Sequence, residues 1–574
     1  MTPAPRATTP AGHWPPESYD WAEVGLTERD LRLDGPVTVE PWLDAPARSY
    51  PRRPATILDV LRRAVLRWPL SVALIDETGI ALTYARFGRL VEAGAAGLRR
   101  RGLRPGDRVV VAARNRVDFA VALFACAAAG TVLVGLNLRL SRDEWAYMIR
   151  YSGATLALAH TELLADLGTA ARLAGLPADA VTTLDLDTFT AGGGPGPALP
   201  EPSPQDTYQV VWTSGTTGRP KASQVVHRCS VHSAMSYQKV LGLRPGERTV
   251  ALFPLYYISA IHAHLLPAML AGATCVLTET TDQGRWLDLL ARYEASWAYA
   301  VPSWWAIAAR DPRMSARVLP RLRIAAAGGA PFPADLVARF RRQLPDTRLL
   351  DIYGLSETHS PATMLSDTDF AARPGSVGRA LPCMEVAVRD GAGRDLPAGQ
   401  PGEVFLRGSL VTTGYWGDPD ATAAAVTDGW FRTGDVGRLD GDGYLYLLDR
   451  TKDMINRGGH KVYSAEVERV LRDLPGVCDA AVVATPDRTA GEAITAVVVT
   501  EPGAALTALA VKRWVRDKLA DYATPSRVEF VPALPRNPTG KTDKPALRRW
   551  LTRDGTAPPG PAAANERHHR EREE

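Results

Sequence analysis

The 574-residue chain is short of cysteine and lacks an apolar leader, a sequence repeat and an excess of charge of either sign. Its five cysteines, Cys126, Cys229, Cys275, Cys383 and Cys478, are far apart, odd in number and never spaced as CxxC. That excludes a disulfide framework and a cysteine-ligated zinc site, and it fits a reducing, cytoplasmic setting. The opening MTPAPRATTPAGHWPP has no hydrophobic stretch of the kind a secretory leader needs. Only residues 119–136 approach membrane length, and they are Ala-rich, broken at Gly130, and turn from helix-like to β-branched composition there. They read as a buried helix, a turn and a buried strand, so no integral membrane segment is expected. With 67 Lys and Arg against 63 Asp and Glu, the formal charge of +4 is spread along the chain. No nucleic-acid partner is expected from it, and Arg99-Arg100-Arg101 reads as a solvated helix end. His568 and His569 have no partners at ligand spacing and are assigned no metal.

What is present is length and alternation. A chain this long exceeds one compact core and implies several subdomains. Short apolar runs at residues 108–112, 273–277 and 323–326 alternate with longer amphipathic segments such as residues 87–101. That alternation predicts an α/β architecture with largely buried sheets. From about Leu439 the grain changes to a Gly-rich hairpin signal, Asp440-Gly441-Asp442-Gly443, and a charged stretch at 449–453. Beyond it, helices over 464–473 and 508–521 and strands over 480–484 and 493–500 predict a small α+β domain. The expected division is a loosely ordered extension at 1–50, a main domain at 51–451, a second domain at 452–552 and a disordered tail at 553–574.

The most telling motif is Thr213-Ser214-Gly215-Thr216-Thr217-Gly218-Arg219-Pro220-Lys221. Its glycines let backbone N–H groups approach phosphate oxygens, its hydroxyls add donors, and Lys221 adds charge. The glycine spacing is not that of a Walker A loop. Tyr353-Gly354-Leu355-Ser356-Glu357 follows the apolar run that contains Asp351. It offers a flat ring for a purine and a hard oxygen ligand for the Mg²⁺ that accompanies a triphosphate. Gly328-Gly329-Ala330-Pro331 would let backbone lie against a planar base, or is a strand-to-helix turn. Asp435 follows a glycine and suits ribose hydroxyls, with Arg450 downstream. Lys541 is presented by a Pro/Gly loop, where most lysines are simply solvated.

In order and spacing these motifs closely resemble the adenylate-forming superfamily of acyl-CoA synthetases, peptide-synthetase adenylation domains and beetle luciferases, over residues 56–551. Supporting stretches are GDRVVV, GSVGRALP, GEVFLRG, TTGYW and DRTKDMINRGGHKVYSAEVE. The resemblance implies a large N-terminal adenylate-forming domain of α/β subdomains and a small mobile C-terminal lid. It implies ATP, Mg²⁺ and coenzyme A as co-substrates and a small carboxylic acid as partner. Thr213 to Gly218 and Lys221 would hold the β- and γ-phosphates, Glu357 the Mg²⁺, Tyr353 and its neighbours Asp351, Gly354 and Ser356 the adenine side, and Asp435 and Arg450 the ribose. Thr213, Glu357 and Lys541 would be the catalytic set, Lys541 bridging the substrate carboxylate and the α-phosphate. Lys452 would be the hinge, and Gly458 and Gly459 would line the thiol tunnel. Where many acyl-CoA synthetases carry an aromatic-His pair, this chain has Tyr256-Tyr257. With Ser303, Trp304 and Trp305 that region would form a crowded acyl pocket favouring a short, branched or aromatic acid, unless the tryptophans point into the core. A carboxylate–CoA ligase acting on a fatty, short or branched, or aromatic acid is the expected activity. A loader of a carrier protein, an enzyme passing the activated group to an amine, and a non-catalytic nucleotide sensor are the alternatives.

Overall fold

The computed structural model describes residues 37–191, 201–213, 220–330, 332–537 and 541–552. The expected disorder of residues 1–36 and 553–574 lies outside the described residues. Contacts divide the chain into two units, Met1–Val386 with Leu406–Phe431, and Ala387–Phe405 with Arg432–Glu574. The junction expected at residue 451 therefore falls inside the second unit.

The first unit holds two large sheets. One runs in the order Lys221–Val226, Thr207–Thr213, Val132–Gly135, Arg108–Ala112, Leu156–Ala159, Val181–Thr183. It is parallel except at its first pair, a hairpin. The other has nine strands, with Trp297–Ala300, Ile324–Gly328 and Arg348–Tyr353 adjacent and parallel near one end. Residues 119–136 take the expected helix-turn-strand form. The helix Val117–Ala129 is apolar on every face, buried apart from Asp118, and stopped by Gly130 in the left-handed conformation at φ 71°. The strand Val132–Gly135 that follows is wholly buried. A glycine cap of this kind closes a helix without the Cβ clash any other residue would meet. Among the described residues no helix is long and apolar enough to cross a membrane.

Residues 38–49 are not a loose extension. Thr38–Trp42 pairs antiparallel with Ala45–Ser49 across Leu43 and Asp44, both at positive φ. The pair is held because Trp42 and Tyr50 are buried, and the Trp42 indole donates to the Val411 carbonyl at 3.0 Å. Beneath it lies the helix His227–Leu241, every residue of which is buried although half are polar. Its side chains find partners within the core: His232 with Ser49, Ser236 with Tyr50, Ser230 with Tyr208 and His262, Ser233 with the His359 carbonyl, and Tyr237 with Ser360. Buried polar groups are tolerated only on such terms.

The second unit contains the expected α+β domain. Ile455–Arg457 and His460–Val462 form a hairpin at one side of the long antiparallel pair Val477–Asp487 and Gly491–Thr500, and Arg527–Phe530 runs parallel to the latter. Helices Ser464–Arg472 and Ala508–Arg516 press Val467, Leu471, Val511 and Val515 onto Val482, Ile494 and Val498. The second helix stops five residues short of the expected end, because a separate turn at Asp521–Ala523 buries Ala523 against the same core.

Burial lowers His227, His232 and His264 from 6.5 to about 3 and His262 to about 4, and holds His359 well below its usual value. Glu92 and Asp351 oppose them, raised by burial to about 7. Below pH 6.5 the unfolded chain takes up five imidazole protons that the native state refuses, while the native state holds two carboxyl protons that the unfolded chain releases. The first unit is therefore expected to lose stability as pH falls from 6.5 towards 4, by on the order of a few kcal/mol per pH unit. Denaturant unfolding at pH 8, 6.5 and 5 checks this; a midpoint unchanged between 6.5 and 5 contradicts it.

Candidate active site

The hairpin of Thr207–Thr213 and Lys221–Val226 pairs Thr213 directly with Lys221, and the Thr213 hydroxyl donates to the Lys221 carbonyl at 3.4 Å. These two residues form the neck of the TSGTTGRPK loop, while Ser214, Gly215, Thr216, Thr217 and Gly218 lie outside the described residues. The Lys221 ammonium sits 4.8 Å from the centre of the Tyr415 ring. The buried Tyr415 hydroxyl donates to Glu357 Oε1 at 3.0 Å. Burial first, and the Glu357 charge second, raise the pKa of that phenol, so it remains a donor. The TTGYW segment lies against the loop's second strand: Gln224 N–H donates to the Gly414 carbonyl at 3.0 Å, and Trp416 N–H to the Ala222 carbonyl at 2.7 Å. Thr412 N–H donates to the Glu357 carbonyl at 2.7 Å. Three segments far apart in the chain thus meet. Sequence reasoning quoted TTGYW without giving Tyr415 a role; the glycine before a buried aromatic was the available signal.

Glu357 is on a single helical turn, Ser356–Thr358, followed by His359 and Ser360 at φ 51° and 91°. The buried His359 ring pins this strained exit. Its Nε2 accepts from Val226 N–H at 3.1 Å and its Nδ1 donates to the Leu410 carbonyl at 2.9 Å. One nitrogen must accept and the other donate, which only a neutral imidazole can do. Tyr353 ends the strand Arg348–Tyr353 and is largely buried. At Gly354 a Cβ would lie 1.4 Å from the Ser360 carbonyl oxygen, so the turn back to His359 admits only glycine. Gly328 is equally committed, since a Cβ there would meet the Tyr299 hydroxyl at 2.0 Å. Gly329 and Ala330 are exposed, and Pro331 lies outside the described residues. Asp351, expected among the nucleotide contacts, is buried, and its carboxylate accepts from Phe332 N–H at 3.0 Å. Its surroundings, not a ligand, raise its pKa to about 7.

Among the described residues no group of three or more His, Cys, Asp or Glu gathers as a metal cage. Glu357 is a buried carboxylate that accepts from the Tyr415 hydroxyl through Oε1. That suits Mg²⁺, which typically takes one or two carboxylates and completes its shell with phosphate and water.

The Tyr256 and Tyr257 rings lie 4.8 Å apart at 59°, and Asn137 donates to the Tyr257 hydroxyl at 2.9 Å. Gly135 makes room for them; a Cβ there would be 2.7 Å from that of Tyr256. Just after them the helix widens into a π turn at Ile261–Leu265, which carries the buried His262 and His264. Such turns gather at functional sites, and nothing in the residue pattern announced this one. Trp305 does not line a pocket. It is fully buried against Trp286 and Phe340, at 4.9 and 5.3 Å between ring centres, and its indole donates to the Ala326 carbonyl at 2.9 Å. Trp304 is half-buried at the edge of the same core, and Ser303 is exposed. The helix Pro302–Ala308 buries Pro302, Trp305 and Ala308, which share one side of it.

In the second unit Asp435 and Arg450 are cross-strand neighbours joined by an ion pair of 2.6 Å, with Asp435 buried and Arg450 half exposed. The Lys541 N–H donates to the Asn537 side chain at 3.0 Å, and Asn537 N–H to the Lys541 carbonyl at 2.8 Å. Desolvation by the surrounding protein, then the positive charge of Arg450, lower its pKa, while Asp435 opposes them. Lys452 is exposed between two anchors. On one side Asp449 accepts from the Ser464 hydroxyl at 3.1 Å, and on the other Arg548 bonds both Asp453 at 2.6 Å and the Lys452 carbonyl at 3.4 Å. Gly458 and Gly459, at φ 57° and 90°, make the two-residue turn between Arg457 and His460. Two consecutive positive φ values are what such a hairpin demands.

The chain matches the AMP-binding enzyme family over residues 61–416 and the AMP-binding enzyme C-terminal domain over residues 466–541. It is 36% identical over 478 residues to a feruloyl-CoA synthase of Amycolatopsis sp, covering 83% of this chain and 95% of that protein. Among solved structures it is similar to the O-succinylbenzoate coenzyme A synthetase of Bacillus subtilis in complex with ATP and magnesium ion, at 28% identity and TM-score 0.76, covering 86% of this chain and 99% of that one. It is also similar to the amide bond synthetase McbA of Marinactinospora thermotolerans, at 31% identity and TM-score 0.77, covering 86% and 100%.

Because the Trp305 indole is core, Trp305→Ala is expected to cost about 3–5 kcal/mol of stability while leaving the order of preference among acids unchanged. Denaturant unfolding together with an acid panel tests both halves; an altered acid preference would return Trp305 to the pocket.

Proposed function

The chain belongs to the AMP-binding enzymes, and on that premise we propose how its residues divide the work of a carboxylate–CoA ligase whose acid is compact and aromatic or branched. The protein is an ATP- and Mg²⁺-dependent ligase with two half-reactions. A carboxylate oxygen attacks the α-phosphorus and pyrophosphate leaves; a thiol sulfur then attacks the acyl carbonyl, loses its proton, and AMP leaves. The observation that carries the assignment is the array of Lys221, Tyr415 and Glu357 at the neck of the TSGTTGRPK loop.

In this reading Thr213 and Lys221 restrain the departing pyrophosphate, and Glu357 holds the Mg²⁺, which when bound neutralises phosphate charge. Tyr353 lies beside the adenine, and Asp435 with Arg450 takes the ribose. The substrate carboxylate needs no general base, because it is ionised at neutral pH. Lys541 offsets the repulsion between that carboxylate and the α-phosphate. Lys452 is the pivot between the half-reactions, and its flanking anchors confine the change of backbone angle to few bonds. The open turn at Gly458 and Gly459 leaves room for a pantetheine arm.

The acid is read from Tyr256 and Tyr257. Their tilted pair and the Asn137 bond to Tyr257 present a stiff aromatic wall with one polar point. An aromatic acid stacks on such a wall, and the similarity to a feruloyl-CoA synthase supports the same class. CoA is the acceptor of this reading. The amide bond synthetase among its structural relatives keeps an amine acceptor as the second reading, and a carrier-protein thiol is the third.

Two outcomes are expected. Acid-dependent exchange of labelled pyrophosphate into ATP should favour aromatic over long-chain acids, and Tyr257→Ala should narrow that preference; no exchange across the panel would defeat the carboxylate reading. Lys541→Ala should lower exchange by about 10²–10³ while sparing CoA attack on a supplied acyl adenylate, with mass detection of the product against amine and carrier acceptors.

A further inference from the structure

Tyr415 faces two charges at once. Its ring lies under the Lys221 ammonium at 4.8 Å, and its hydroxyl donates to Glu357 Oε1 at 3.0 Å. The main chain that carries it is placed without help from either contact. Tyr415 bridges Ser223 in an antiparallel pairing, and its N–H donates to the Thr422 hydroxyl at 2.9 Å. Gly414, at φ 130°, passes so close to Thr422 that a Cβ would meet its Cγ2 at 2.3 Å. With the backbone anchored independently, the phenol is left to act on the two charged groups.

The geometry points to Tyr415 as the positioning residue that seats both the loop lysine and the metal-binding carboxylate, the ring serving one and the hydroxyl the other. Lys221 and Glu357 are 136 residues apart in sequence and of opposite charge. A direct ion pair between them would satisfy each at the other's expense, withdrawing the cation from phosphate and the anion from Mg²⁺. The Tyr415 ring separates them while giving each a weaker, neutral partner. A cation over a ring face keeps its full charge, and a carboxylate accepting from a neutral phenol keeps its own. The hydroxyl also restrains the Glu357 carboxylate, whose Oε1 it meets at 3.0 Å.

This inference rests on the assignment of Glu357 to Mg²⁺, and equilibrium binding of ATP, measured calorimetrically on the full-length chain without acid or CoA, separates the two. Tyr415→Phe keeps the ring and removes only the hydroxyl. ATP affinity in the presence of Mg²⁺ should weaken about tenfold, while affinity in EDTA stays at the wild-type value. Tyr415→Leu removes the ring as well and should weaken both. Glu357→Gln should abolish the gain that Mg²⁺ confers, and adding Tyr415→Phe to it should change nothing further. An equal loss with and without Mg²⁺ for Tyr415→Phe, no loss in either, or full additivity with Glu357→Gln would overturn the role. Thermal unfolding of each unliganded variant accompanies the titrations. Should Tyr415→Phe not fold, Tyr415→Leu carries the test, and wild-type ATP affinity for it both with and without Mg²⁺ would overturn the role. Wild-type protein that binds no ATP defeats the proposed function itself, whereas wild-type binding with an unaffected Tyr415→Phe defeats only this role.

Discussion

The nucleotide side of the first unit depends on one neutral ring. His359 accepts a hydrogen bond from the strand that closes the phosphate loop and donates one to the segment leading into TTGYW. Both bonds need different nitrogens in different protonation states, so the imidazole has to remain uncharged. Burial ensures this by holding its pKa well below the usual value. The same residue adopts a left-handed backbone immediately after Glu357. A local cost of on the order of 1–3 kcal/mol for such backbone is thereby tied to the orientation of the group assigned to the metal.

Around that ring the core is more polar than its depth would predict. The helix His227–Leu241 carries histidines, serines, a glutamine and a lysine in burial, and several of them bond distant segments: Ser49, Tyr50, Tyr208, His262 and Ser360. Directional bonds of this sort specify register more sharply than apolar packing does, because a slipped neighbour leaves a buried donor unsatisfied. The consequence is an acid-sensitive frame under an active site that itself needs anionic carboxylates. In the second unit the logic is electrostatic rather than steric. Asp435 and Arg450 form an ion pair across a strand pair, and desolvation first, then the Arg450 charge, lower the Lys541 pKa against the opposing charge of Asp435.

Much of this was legible in the residues. The alternation of short apolar runs and amphipathic segments announced an α/β unit, and Gly130 marked the helix-to-strand turn within a stretch of membrane-like hydrophobicity. The chemistry-bearing motifs stood out because glycine, hydroxyl and charge rarely coincide without a ligand to explain them. Other residues misled. Asp351 sits in a nucleotide-like motif yet spends its carboxylate on a backbone N–H across the sheet. Trp305 neighbours the acyl region in sequence yet fills the core. Tyr415 drew no role of its own, although it touches both charges of the loop neck.

From sequence alone came the class of chemistry and the residues proposed for phosphate, metal and lid, because several short motifs recur in one order and spacing along the chain. Tertiary structure alone decided which way a side chain faces and what it meets. Asp351, Trp305 and Tyr415 differ only in the direction taken from their backbone and in partners 19, 21 and 58 residues away. No local pattern encodes that direction, since it follows from how sheets and helices stack over the whole unit.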